Sequence, residues 1–327
     1  MKVFVTGGTG LVGSNVIKVA REKYGAEVVA SVYKRRPASR LHCSLEQVDV
    51  TDAEEVRRTL LRHRPDAVIH CAATVDMALL QQDNAHGWRL MVDATRNIAR
   101  ACGECGARMV FVSSDWVFGG GTPPYSEDAV PCPVNYYGLL KVVGETIVSS
   151  IGIDYGIARI AAVYGRNWSF PDWVPEQRVT GFGTLPNWML DQLQKGERIV
   201  EWTDYINVEA NPTLASDCAE AMLTIVERKK VGTFHCCGRR SVNRVELGKL
   251  VAATFGLDPA KVRAARAEEM DPGSVEESVP RKTSLNVALT ESTLERRNLP
   301  PEEGLAVWKR QLQSGRLMEQ RSSEETE

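Results

Sequence analysis

Two side chains four residues apart, Tyr137 and Lys141, stand at the start of a stretch whose apolar content and length suit a helix running through Val148. That spacing puts both on one helical face, within reach of each other. A free phenol titrates near ~10 and a neighbouring ammonium favours its ionised form, so the pairing suits proton transfer, with Tyr137 as the acid and Lys141 as its tuner. Ser114 is the third group. It follows Val110 to Val112, which read as a buried strand, and so lies just past the carboxyl end, where an open α/β sheet places its ligand crevice. A tyrosine four residues before a lysine also occurs on ordinary solvated helices. The chemical reading therefore depends on Ser114 and on a nucleotide fingerprint upstream.

That fingerprint is at the amino end. Lys2 to Thr6 read as an apolar strand, Gly7 to Gly13 as a glycine turn, and Ser14 to Tyr24 as an amphipathic helix. Glycines allow a tight turn and let a pyrophosphate approach backbone amides, such as those of Leu11 and Val12, at the positive end of the helix. Two registers fit: Gly7, Gly10 and Gly13, or Gly8, Gly10 and Gly13. Glu27 to Tyr33 read as the second strand, and no carboxylate stands at its end to hold ribose hydroxyls. Lys34, Arg35 and Arg36 stand there instead, which as a triplet could be only a solvated loop but with the missing acid favours NADP(H) over NAD(H).

The third strand ends at Gln47 to Val50, placing Asp49 and Val50 beside the adenine, and Thr51-Asp52 caps a helix through about His63. Ala67 to His70 form the fourth strand. Cys71, Ala72 and Ala73 follow as a small-residue turn for the nicotinamide-side ribose, and His70 reads as a packed or surface histidine rather than a catalyst. Trp88 to Cys105 form a long helix, and Ala107 to Val112 the strand that delivers Ser114. Alternation of this kind implies an α/β fold, a Rossmann-type, right-handed, doubly wound parallel sheet.

Residues 1–165 would make the dinucleotide-binding domain that carries Ser114, Tyr137 and Lys141. Residues 166–313 would be mainly a smaller α/β substrate-binding region with segments returning to the sheet, and 314–327 a disordered tail. From Arg166 to Pro186, Trp168, Phe170, Trp173 and Phe182 crowd a stretch without clear periodicity. It reads as a lid or substrate-binding loop, or as an aromatic patch packed on the sheet. Ser216 or Asp217 would help start the helix Ala215 to Glu227, and Arg263 to Ser284 read as polar and in part mobile.

Hydrophobic residues at 43% and charged residues at 25% are ordinary for a globular protein, and a net charge of −2 argues against a nucleic-acid partner. No apolar run approaches about 18 residues, and the strand beginning at Lys2 leaves no room for a secretory leader, so a cytoplasmic location without a membrane partner is expected. Eight scattered cysteines lack the density of a disulfide scaffold. Cys102 and Cys105 have CxxC spacing but no second pair, so structural thiols and no metal site are expected.

The glycine turn, Ser114 and the Tyr137/Lys141 helix occur in the order and spacing of the extended short-chain dehydrogenase/reductases, which the chain resembles over nearly all its length. Within them, residues 113–120, 137–145, 211–219 and 281–286 look most like the dTDP-4-dehydrorhamnose reductase group. The resemblance implies an NADPH-dependent carbonyl reductase acting on a ketone, with a 4-keto-6-deoxy nucleotide-sugar as its expected form. Ser114 would hold the substrate carbonyl oxygen, Tyr137 would protonate it, and Lys141 would bind the cofactor ribose. Asp115 and Trp116 would border the substrate. Trp116 replaces a phenol usual in that group, Asp93 replaces an asparagine, and residues 166–180 look like an insertion. Two other functions share the fold: a sugar-nucleotide epimerase or dehydratase that retains NAD, and a non-catalytic regulatory subunit like that of methionine adenosyltransferase. Helices paired on one face of such a sheet would allow a homodimer.

Overall fold

The computed structural model describes residues 1–175, 183–205, 207–270 and 279–317. Six strands succeed one another in the first half: β1 (Lys2–Thr6), β2 (Glu27–Val32), β3 (Ser44–Gln47), β4 (Ala67–His70), β5 (Arg108–Ser114) and β6 (Tyr155–Ile160). The strand Gly232–His235 joins them at one edge, giving a seven-stranded sheet in the order Gly232–His235, β6, β5, β4, β1, β2, β3. Every pairing is parallel, with Val5 opposite Ala30 and Ile69, Ile69 opposite Val110, and Val110 opposite Gly156. Both faces are covered, which is why the central strands are continuous apolar runs rather than alternating ones. On one face α1 (Leu11–Glu22) and the helix Ala215–Glu227 share a core with Val3, Val5, Ile69 and Val110. On the other, α2 (Ala53–His63), Ala94–Cys105 and Tyr136–Ser150 pack with Phe4, Val68, Met109 and Phe111.

A second core joins the helices Leu185–Gln194, Arg244–Phe255 and Pro301–Ser314, closed by a parallel pair, Ile199–Trp202 with Val262–Ala265. Inside it the fully buried Arg244 guanidinium pairs with Glu201 at 2.6 Å and lies 4.4 Å from the centre of the Trp202 ring. Such a charge is tolerated in a dry interior only because a carboxylate and an aromatic face replace the lost water.

Local expectations differ from the structure at several places, among them the third strand, which ends at Gln47 and leaves Asp49 and Val50 in the following turn. Trp88 to Cys105 is not one α-helix: Asn84–Trp88 leads into a π-helical turn at Arg89–Asp93, and Ala94–Cys105 follows. Neither Ser216 nor Asp217 caps its helix. Leu214 takes that position, while Asp217 receives the Arg296 guanidinium at 2.6 Å and the Leu299 amide at 3.1 Å. Within 263–284, Val262–Ala265 is a strand and Thr283 and Ser284 are buried; residues 271–278 lie outside the described ones. At the tail, Ser314 ends a helix and Leu317 packs on the first core, because the amphipathic run from Pro301 carries its apolar face onto the body; residues 318–327 lie outside the described ones.

Candidate active site and dinucleotide cradle

Chain direction aims Ser114 at the carboxyl end of β5, where a one-turn helix, Asp115–Val117, begins. Its hydroxyl oxygen accepts the Trp116 amide at 3.2 Å, and its proton goes to Asp115 Oδ1 at 3.0 Å. Asp115 is 4% exposed, and its second oxygen accepts from the Thr283 hydroxyl at 2.5 Å. Burial pushes this carboxyl up to about 6, against the pull of the Thr283 and Ser114 hydrogen bonds.

The tyrosine helix docks directly on that turn. Asn135 caps it by accepting the Gly138 amide at 2.8 Å, and a side chain at Gly138 would start 2.2 Å from the Trp116 carbonyl. Only glycine allows this approach, which sets Tyr137 edge-on to the Trp116 ring at 5.8 Å and 89°. Ser114 and Tyr137 are thereby brought close enough for the serine hydroxyl to act on the phenol. Although part of the Tyr137 side chain is exposed, burial raises its phenol above the ordinary value; Ser114 opposes that shift and Asp115 adds to it. Lys141 is 4% exposed, donates to the Val112 carbonyl at 2.8 Å, and sits 5.7 Å from the centre of the Tyr137 ring. Burial pushes it down to about 8, opposed by Cys71 and Glu145. The expected tuning, an ammonium drawing the phenol down, is thus reversed in the free protein, because desolvation is the largest influence on each group.

Behind these groups lies a buried network of charged and polar side chains. Glu145, one turn after Lys141, accepts from Ser113 Oγ at 2.6 Å and from the Arg159 Nε and Nη2 atoms, each at 2.9 Å. A second chain of hydrogen bonds anchors the turn after β4. Thr95 donates to the Met91 carbonyl at 2.6 Å and so accepts from His70 Nε2 at 3.3 Å, leaving Nδ1 to accept from Thr6 at 2.7 Å; the Thr6 oxygen then receives the Ala72 amide at 3.1 Å. His70 is pushed down to about 3, first by burial and then by Lys141, which makes it a neutral strut that holds the Ala72 amide through Thr6. Asp93 pairs locally with Arg96 at 2.6 Å.

The glycine turn is built as a cradle. Gly7 has φ +65°, and a Cβ on Gly13 would stand 2.3 Å from the Gly7 carbonyl oxygen, so the register runs through Gly7, Gly10 and Gly13. Gly10 caps α1 without a side chain, and the first-turn amides of Leu11, Val12 and Gly13 have no intrahelical acceptors. Donors at a positive helix end, with backbone that only glycine permits, fit a pyrophosphate. Lys34, Arg35 and Arg36 follow β2 and are exposed. Asp49 accepts from the Thr51 amide and hydroxyl at 2.9 and 2.7 Å, and Val50 is buried beneath it.

Trp168 and Phe170, expected at the substrate, pack against α1 and the loop after β2. The Trp168 indole donates to Asn15 Oδ1 at 3.0 Å, and Phe170 lies under the Arg35 guanidinium. Polar residues between and before them find their partners on the glycine turn and α1, and this pulls the aromatics there. Phe182 lies outside the described residues. A cavity of about 840 Å³ beside β3, lined by Arg21, Arg40 and Cys43 among others, reaches Arg36 but neither the glycine turn nor Ser114, Tyr137 and Lys141.

Residues 1–306 match the family described as the RmlD substrate binding domain. The chain is 30% identical to the probable low-salt glycan biosynthesis reductase of Haloferax volcanii over 90% of this chain and 92% of that one. It is 28% identical to methionine adenosyltransferase 2 subunit beta of Rattus norvegicus, over 80% and 74%. Among solved structures, it is similar in fold to a dTDP-4-dehydrorhamnose reductase of Bacillus anthracis in complex with NADP. The TM-score is 0.75, with 21% identity and coverage of 95% of this chain and 99% of that one.

Proposed function

The chain belongs to the RmlD substrate binding domain family, and from that membership we propose that it is an NADPH-dependent carbonyl reductase whose substrate is a 4-keto-6-deoxy nucleotide-sugar. The observation that carries this reading is the meeting of the Ser114 and Tyr137 hydroxyls at the end of β5, one helical turn from the buried Lys141. The glycine cradle would hold the pyrophosphate, Lys34 to Arg36 the ribose phosphate, and the turn at Cys71 to Ala73 the nicotinamide-side ribose, together with Lys141. The reduced nicotinamide supplies a hydride when bound.

In that reaction the ketone carbon gains the hydride and its oxygen gains the Tyr137 proton, giving a secondary alcohol. A raised phenol pKa keeps the proton on Tyr137 until negative charge develops on the substrate oxygen. Ser114 would donate to that oxygen once its proton turns away from Asp115, stabilisation of a kind worth about 3 kcal/mol. Asp115 and Trp116 border the same space, and the carboxylate keeps lone pairs for a sugar hydroxyl beyond those given to Ser114 and Thr283.

The test is oxidation of NADPH by the purified protein against dTDP-4-keto-6-deoxy sugars and plain ketones, with the product identified by NMR. Turnover of the nucleotide-sugar to its 4-hydroxy product supports the reading; turnover of plain ketones alone removes the sugar from it. The likeness to methionine adenosyltransferase 2 subunit beta favours a second reading, a regulatory subunit that binds the dinucleotide. No turnover with any ketone, together with a stable complex with a methionine adenosyltransferase catalytic subunit, would establish that role. An epimerase or dehydratase retaining NAD is disfavoured by the absence of an acid after β2, and tightly held NAD in the purified protein would restore it.

A further inference from the structure

The segment after β6 ties together two parts of the dinucleotide site that are far apart in sequence. Ser169 donates its hydroxyl to the Gly8 carbonyl at 3.2 Å, and Asn167 donates to the Thr9 carbonyl at 3.4 Å. Asn15 on α1 returns a bond to the Arg166 carbonyl at 2.9 Å. The Ser169 carbonyl in turn accepts the Ala38 and Ser39 amides at 2.8 and 3.2 Å, and the Ser39 hydroxyl donates to the Trp168 carbonyl. One short stretch therefore grips both the glycine turn and the loop that carries Lys34, Arg35 and Arg36. At its end Phe170 places its ring 3.7 Å from the Arg35 guanidinium carbon.

We propose that Phe170 is a positioning residue for the cofactor: its ring is the platform that holds Arg35 ready for the 2′-phosphate of NADP(H). The inference rests on the NADP(H) reading and adds to it a determinant outside the glycine turn and β2. An arginine on an open loop samples many rotamers, and ordering it on binding weakens the complex. A ring against the guanidinium face removes much of that freedom. The same contact leaves the in-plane N–H donors free, and those are the groups that grip a phosphate. Stacking and phosphate binding use different directions of one group, so Phe170 strengthens the second without competing for it.

Binding of adenosine fragments tests this without catalysis. The full chain and its variants are titrated by calorimetry with adenosine 2′,5′-bisphosphate and with 5′-AMP. The wild-type protein is expected to prefer the bisphosphate, and Arg35→Met to lose most of that preference. Phe170→Leu, which keeps an apolar side chain but no ring, should weaken the bisphosphate about fivefold and leave 5′-AMP within about twofold, whereas Phe170→Tyr should keep wild-type affinity. Unchanged bisphosphate affinity in Phe170→Leu, with preference lost in Arg35→Met, overturns the platform and spares the NADP(H) reading. Equal weakening of both ligands in Phe170→Leu also overturns it, since that is the mark of a loosened loop. A wild-type protein without preference overturns the NADP(H) reading and the platform with it.

Discussion

Thr283 stands 168 residues after Asp115, yet its hydroxyl donates to Asp115 Oδ2 at 2.5 Å. The carboxylate beside Ser114 is therefore held by the carboxyl-terminal half of the chain. A buried acid pushed up to about 6 changes charge within the working pH range, and each neighbour that donates to it opposes the shift.

An acidic limb in the pH profile is expected from that contact. Thr283→Val removes a donor that favours the ionised form, so the Asp115 midpoint should move above about 6, and Asp115→Asn should abolish the limb. For stability the sign is that of a raised acid: the contribution is full below the unfolded value and is lost as pH rises through about 6. Values of kcat/KM between pH 5 and 9 for the three proteins check the first point. A limb that stays in Asp115→Asn would assign it to another group.

Tyr137→Phe should lower turnover by about 10²- to 10⁴-fold, as expected for loss of a positioned acid. The ring contact with Trp116 needs no hydroxyl, so NADPH affinity should stay within about threefold of wild type. Single-turnover kinetics and a fluorescence titration separate the two effects; undiminished turnover would remove Tyr137 from the chemistry.

Lys141 illustrates function opposed to stability. Its pKa near 8, depressed from 10.5 by burial, means that the folded chain gives up this proton first, so stability should rise as pH climbs from about 8 to 10.5. At neutral pH, Lys141→Met should stabilise the fold by about 2 kcal/mol, the desolvation cost less the lost bond to the Val112 carbonyl, while turnover collapses. Urea unfolding at pH 7 and pH 10 measures both, and a destabilised variant at pH 7 would contradict the assignment.

The pair behind the site should be costly to break. Glu145→Gln leaves the Arg159 guanidinium, itself 3% exposed, without its carboxylate, a loss of about 3–5 kcal/mol in chemical denaturation. Adding Arg159→Met should recover part of that loss, since the stranded charge goes with it.

In the cradle, Gly13→Ala should cost about 1–3 kcal/mol and abolish dinucleotide binding, because its Cβ would meet the Gly7 carbonyl oxygen at 2.3 Å. Gly103→Ala, in a helix where the nearest atom is 3.4 Å away on Ile153, should be tolerated or mildly stabilising. Comparison of their melting and binding separates a general glycine effect from the cradle's own.

What could be read from the chain alone was whatever depends on neighbours in sequence. Continuous apolar runs between amphipathic stretches specify a parallel sheet covered on both faces, and the spacing of Gly7, Gly10 and Gly13 specifies a turn tight enough for a pyrophosphate. The interval between Tyr137 and Lys141 specifies a shared helical face, and the basic triplet after β2 specifies the sign of charge there. The tertiary structure decided the rest. Trp168 and Phe170 are apolar side chains that any apolar surface could receive, and only their polar neighbours' partners on the glycine turn and α1 settle where they go. Thr283 could be assigned to Asp115 only once the carboxyl-terminal segment was folded over β5. The direction in which Tyr137 and Lys141 shift depends on how much water the fold removes from each, and sequence spacing carries no record of that.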